Sequence, residues 1–156
     1  MPCKARTLIY ILVVLSLMLS GSVAFANLGD SDDPATDDPM FEEGKAAIEA
    51  QDWTKAINIL SKTADAYPES ADTQNFLGYA YRKSGNIDAA FQHYRRALEI
   101  DPAHKHALEY LGEAYLMKDD LGGAEQQLAE LARICSPIPC EEYKELKRAV
   151  DAFKNQ

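Results

Sequence analysis

Residues 71–104 read ADTQNFLGYAYRKSGNIDAAFQHYRRALEIDPAH. Apolar side chains recur there at helical spacing in two blocks: Phe76, Leu77, Ala80 and Tyr81, then Ala90, Phe91, Tyr94, Ala97 and Leu98. That spacing predicts two amphipathic helices. Ser70 is placed to cap the first, from about Ala71 to Ser84, because its hydroxyl accepts a backbone N–H that the first turn leaves unpaired. Gly85 suits the left-handed residue that ends it. Asn86 caps a second helix from about Ile87 to Ile100, and Asp101-Pro102 breaks it, since proline restricts the residue before it. The stretch is a helical hairpin.

The same pattern runs outward in both directions. Gly44, Gly78 and Gly112 stand 34 residues apart, as do Ala56, Ala90 and Ala124, and Leu60, Tyr94 and Leu128. Fixed spacing of this length marks a stacked repeat array. The units are residues 37–70, 71–104 and 105–138. The small columns have a packing reason: helices joined by a tight turn approach closely only where side chains are small. Residues 139–156 hold one more helix, Glu141 to Lys154, whose Tyr143, Leu146, Val150 and Phe153 form an apolar stripe. A helical array needs such an element to cover its last open face. The expected fold is an all-α solenoid of three helix-turn-helix units with a C-terminal capping helix.

These residues carry a family resemblance. Residues 71–104 resemble a tetratricopeptide repeat in Leu77, Gly78, Tyr81, Gly85, Ala90, Tyr94, Ala97 and Pro102, with Gln74 at the family's tryptophan position. Residues 105–138 match in Leu111, Gly112, Tyr115, Ala124 and Leu128, but carry Leu131 for alanine and Ser136 for proline. Residues 37–70 match in Gly44, Ala56 and Pro68, with Glu43 replacing a leucine. The resemblance implies a right-handed solenoid whose first helices line a concave groove. By register that groove holds Phe41, Lys45 and Ile48, then Asn75, Tyr79, Arg82 and Lys83, then His106, Glu109, Tyr110, Glu113 and Leu116. Tyr110 and Leu116 are the two expected to pack against the next repeat instead. The implied function is binding of a partner peptide or protein without catalysis, as an adaptor or assembly factor. Aromatics with both charges suit an extended peptide, whose backbone needs hydrogen bonds and whose side chains need small pockets. Tyr79 and Arg82 are expected to serve binding and not stability. The positions that clamp a terminal carboxylate in the family's chaperone-tail type hold Phe41, Lys45, Phe76, His106 and Tyr110 here, so that specificity is not implied.

The N-terminal segment has its own layout. Lys4 and Arg6 precede an apolar run, Leu8 to Leu19, and Ala24 and Ala26 close an A-x-A pattern. Residues 1–26 therefore read as a signal peptide cleaved after Ala26; an uncleaved anchor is the alternative. Residues 27–38, NLGDSDDPATDD, contain five aspartates and little to bury, and read as a disordered acidic linker. The chain is expected to be exported, to a periplasm or secreted, with no membrane insertion after cleavage. Its formal net charge is −9, and Lys4 and Arg6 are the only charges in 1–26, so loss of the leader leaves −11. That charge repels phosphate backbones, and no nucleic-acid partner is expected. Beyond the leader only Cys135 and Cys140 remain, an even count that suggests a disulfide in an oxidising compartment.

No catalytic residue, cofactor or metal is assigned. Nucleophile-elbow, zinc-protease and phosphate-loop motifs do not occur. Gly122-Gly123 opens a helix without the lysine of a phosphate loop. His106, Glu109 and Glu113 share one helix face and are read as solvated polar residues. Two alternatives stay open: a redox or metal-handling protein using Cys135 and Cys140, and a scaffold that self-associates as a homo-oligomer.

Overall fold

The computed structural model describes residues 33–156. Within them the chain forms seven helices: α1 Pro39–Glu49, α2 Trp53–Ala66, α3 Ala71–Lys83, α4 Ile87–Ile100, α5 Lys105–Met117, α6 Leu121–Ile134 and α7 Glu141–Lys154. Six of them start on a side chain that accepts one of the N–H groups a first turn leaves unpaired. Asp38, Asp52, Ser70, Asn86, His104 and Asp120 play this part in turn. At His104 the ring does it: Nδ1 accepts from the Ala107 N–H at 3.2 Å, which leaves Nε2–H to donate to Asp72 Oδ1 at 2.9 Å. Gly85 closes the first hairpin turn of the middle unit at φ +88°, the left-handed conformation expected there.

The helices pack in sequence as tetratricopeptide-type hairpins, and no strand occurs among the described residues. The alanine column is fully buried at Ala56, Ala90 and Ala124. The glycine column supplies notches. A Cβ on Gly44 would lie 2.5 Å from Leu60, and one on Gly78 would lie 2.6 Å from the Tyr94 ring. The third notch departs from the pattern. Gly112 faces Leu146 of α7 at 2.5 Å, while Leu128 is only half-buried. The third unit also carries the bulkier Leu131, fully buried, in the column that Thr63 and Ala97 occupy in the earlier units. Gly123 lies in the same way against the Tyr115 ring, whereas a Cβ on Gly122 would meet Asp120 Oδ1 at an ordinary contact distance of 3.6 Å.

Two stretches differ from, or lie beyond, the sequence-based reading. The expected leader, residues 1–26, lies outside the described residues, as does 27–32 of the acidic linker. Residues 33–38 of that linker are built into the fold. Ala35 is fully buried, Asp33 accepts the Asp72 N–H at the start of α3 at 3.0 Å, and Asp38 accepts from the Tyr67 hydroxyl at 2.8 Å. Acidity alone suggests disorder, but these aspartates find the unpaired donors of helix N-termini. The Cys135 and Cys140 sulfurs are bonded, joining the end of α6 to the start of α7 across Cα atoms 5.5 Å apart.

Gly78→Ala is expected to destabilise the chain by roughly 1–3 kcal/mol, since the buried Tyr94 ring has to move. Denaturant titration measures it. Reduction of the Cys135–Cys140 bond, or its replacement by two serines, is expected to cost about 2 kcal/mol from loop entropy, read by the same titration with and without reductant.

Candidate functional site

Side chains from α1, α3 and α5 converge on one pocket of about 350 Å³. Its lining includes Phe41, Lys45, Asn75, Phe76, His106 and Tyr110. Phe41 is 2 % exposed and stands edge-on to Phe76 with centroids 5.5 Å apart, an arrangement that ring quadrupoles favour. Asn75 is 3 % exposed, and its Oδ1 has no hydrogen-bond partner among the described residues. A buried acceptor left unpaired costs about 1–3 kcal/mol, a cost that the folded chain carries here.

Several of the positions assigned to the groove by register lie deeper than expected. Phe41, Asn75 and Glu109 are buried, not exposed contact residues, because each sits where neighbouring first helices meet. Lys45 is half-buried, bonded to Glu42 at 2.8 Å and 5.5 Å above the Phe41 ring. Ile48 packs against the core of the first unit. Tyr79 is half-buried between Trp53 and Tyr110, at centroid distances of 6.3 and 5.1 Å. Lys83 and His106 are exposed. Tyr110, expected to pack away from the groove, lines the pocket. Thr36 and Phe76 also line it without having been singled out as groove residues. Thr36 comes from the supposed linker, and Phe76 was counted with the core.

Arg82 is not the free groove cation that register suggested. Its side chain is 11 % exposed, its guanidinium meets Glu113 at 2.6 Å, and its Nε–H donates to the Tyr94 hydroxyl at 3.2 Å. The rings of Tyr79 and Tyr110 lie 5.4 and 5.2 Å from it. Burial works against its charge, but Tyr94 and Glu113 outweigh that and raise its pKa. Burial also lifts the Tyr110 phenol to about 12, helped by Glu109 and Tyr79. Both groups keep their protons at neutral pH. Arg82 thus ties α3, α4 and α5 together, and its replacement by alanine strikes stability as well as the groove.

Beyond Arg82 the surface turns acidic. Glu109 is 8 % exposed, with Glu113 one turn along and Glu142 and Glu145 approaching from α7. Burial is the first cause that pushes its carboxyl up to about 7; Glu113, Glu142 and Glu145 add to it, and Arg82 opposes. His106 Nε2 lies 3.8 Å from Glu142. Glu142 had no signal in the sequence, because nothing there shows that α7 lies on α5. Among the described residues no three histidine, cysteine or acidic side chains are grouped to hold a metal.

Two family models, each described as tetratricopeptide repeat, match residues 41–105 and 81–134. Over 86 residues the chain is 28 % identical to a CTR9 homolog of Arabidopsis thaliana. Over 67 residues it is 36 % identical to a probable biofilm formation methyltransferase, WspC, of Pseudomonas putida. These matches take in 55 % and 43 % of this chain but only 8 % and 16 % of those proteins. Among solved structures, the Yersinia enterocolitica translocator chaperone SycD superposes at a TM-score of 0.70 with 17 % identity, over 83 % of this chain and 90 % of that one. PcrH, in complex with the chaperone binding region of PopD, gives 0.69 with 19 % identity over 81 % and 96 %. The first repeat domain of Spaghetti (RPAP3), bound to an HSP90 peptide, gives 0.67 with 17 % identity over 81 % and 97 %. At these identities the likeness is one of fold.

The Glu109 carboxyl makes stability pH-dependent. Between about 4.5 and about 7 the folded chain holds a proton that the unfolded chain has released, so its contribution to stability falls as pH rises through that window. Arg82, Glu113, Glu142 and Glu145 act on it. Glu109→Gln removes this loss. Urea titrations at pH 5, 6.5 and 8 are expected to show a gap between variant and wild type that grows with pH, reaching roughly 2–3 kcal/mol at pH 8.

Proposed function

The chain is a tetratricopeptide repeat protein, and we infer that its concave face holds an extended segment of a partner protein without catalysing a reaction on it. The observation that carries this reading is the pocket where α1, α3 and α5 meet, lined in part by Asn75, whose buried Oδ1 is unpaired among the described residues. An extended segment brings backbone N–H groups that need acceptors, and side chains that need apolar walls. Asn75 supplies the acceptor; Phe41, Phe76 and Tyr110 supply the walls. PcrH with the PopD region and the Spaghetti domain with its HSP90 peptide are proteins of this fold that hold peptides.

In this reading the protein is an adaptor or assembly factor that works outside the cytoplasm, in a periplasm or a comparable oxidising space. The leader-like order of residues 1–26 and the bonded pair Cys135–Cys140 support that location.

A photo-crosslinking residue at position 83, beside Tyr79, is expected to capture a discrete partner in the native compartment. The same residue at position 62, on exposed α2, is not. Asn75→Ala is expected to weaken the capture at least fivefold while circular dichroism is unchanged. Equal capture from both positions, or capture indifferent to Asn75, refutes the groove.

A further inference from the structure

The far end of the groove has a chemistry of its own. α7 lies on both α5 and α6, with Leu146 seated on Gly112. That contact sets Glu142 of α7 3.8 Å from His106 of α5, and brings Glu142 and Glu145 near enough to Glu109 for their charges to act on it. Nearby cations are already engaged. Arg82 is held by Glu113 and Tyr94, Arg148 pairs with Glu145, and Lys144 pairs with Glu141. Glu109 differs from its neighbours: it is 8 % exposed, and no hydrogen bond or ion pair reaches its carboxylate among the described residues.

Resting on the groove reading above, we propose that this cleft takes a cationic side chain, arginine or lysine, of the bound segment, with Glu109 and Glu142 as its acceptors. Glu109 is held among like charges in a largely buried position, and a cation with several N–H donors relieves that repulsion. Glu142, 16 % exposed at its side chain, has His106 at 3.8 Å as its one ion-pair neighbour among the described residues and offers the second acceptor. The carboxylates are not grouped as metal ligands, so a long, flexible ammonium or a planar guanidinium fits them better than a compact metal ion. The chain's net charge of −9 draws a basic segment from a distance. Glu109 has a carboxyl titrating near neutrality when unpaired, and an entering cation displaces its proton.

The probes are acetylated, amidated alanine–glycine heptapeptides carrying one arginine at each position in turn, and the same peptides with glutamine there. NMR follows two reporters, the Asn75 side-chain amide and the Glu109 carboxyl carbon. One arginine peptide is expected to shift both saturably and to bind at least about tenfold tighter than its glutamine twin. Glu109→Gln and Glu142→Gln, each checked for native circular dichroism, are expected to erase that advantage and leave the Asn75 response. If both peptide sets move Asn75 equally and Glu109 stays still, the cation site is refuted and the groove stands. If no peptide moves Asn75, the groove reading falls and this inference with it. Putrescine binding as tightly as the best arginine peptide reassigns the cleft to free amines and overturns the proposal.

Discussion

A glycine on the first helix of a hairpin, facing one large side chain on the second, sets the spacing on which the rest of the chain depends. Gly44 receives Leu60, and Gly78 receives the ring of Tyr94, at distances that leave no room for a Cβ. Buried alanines at 56 and 90 keep the second helices equally close. Hairpins held this tightly stack in one direction, which brings α1, α3 and α5 together around the pocket. Packing density, more than any polar contact, thus builds the surface that a partner meets.

Tyr94 links that packing to the groove. Its ring fills the Gly78 notch, and its hydroxyl accepts from Arg82. Arg82 in turn holds Glu113 and lies near the rings of Tyr79 and Tyr110. One buried tyrosine therefore positions the centre of the groove. The acidic end follows the opposite rule. Glu109 is buried among carboxylates and weakens the fold once it ionises. Groups that cost stability in the free protein are frequent where a ligand is to be met, and the unpaired Asn75 Oδ1 has the same character.

Hairpin boundaries and caps were legible residue by residue. Ser70, Gly85 and Asn86 do what their chemistry suggests, and α7 runs from Glu141 to Lys154 as its stripe predicts. The candidate site was legible only as a face. Register places Phe41, Asn75 and Glu109 on the first helices, but burial depends on how far the neighbouring helix leans over them. Thr36 was hidden for a different reason. A stretch rich in aspartate looks too polar to fold, yet Asp38 caps the helix that follows it and Asp33 accepts from the start of α3, far along the chain.

The sequence by itself determined the local events: where each helix starts and stops, which stripe it buries, and that the pattern recurs every 34 residues. Those depend on side chains a few positions apart, so they can be read without coordinates. Tertiary structure alone decided which residue fills each notch and which charges meet. Gly112 takes Leu146 from the capping helix and not Leu128 from its own unit. That contact lays α7 on α5 and brings the charges of Glu142 and Glu145 to bear on Glu109. Such contacts join residues far apart in the chain, and only the packed helices show which side chain reaches which notch.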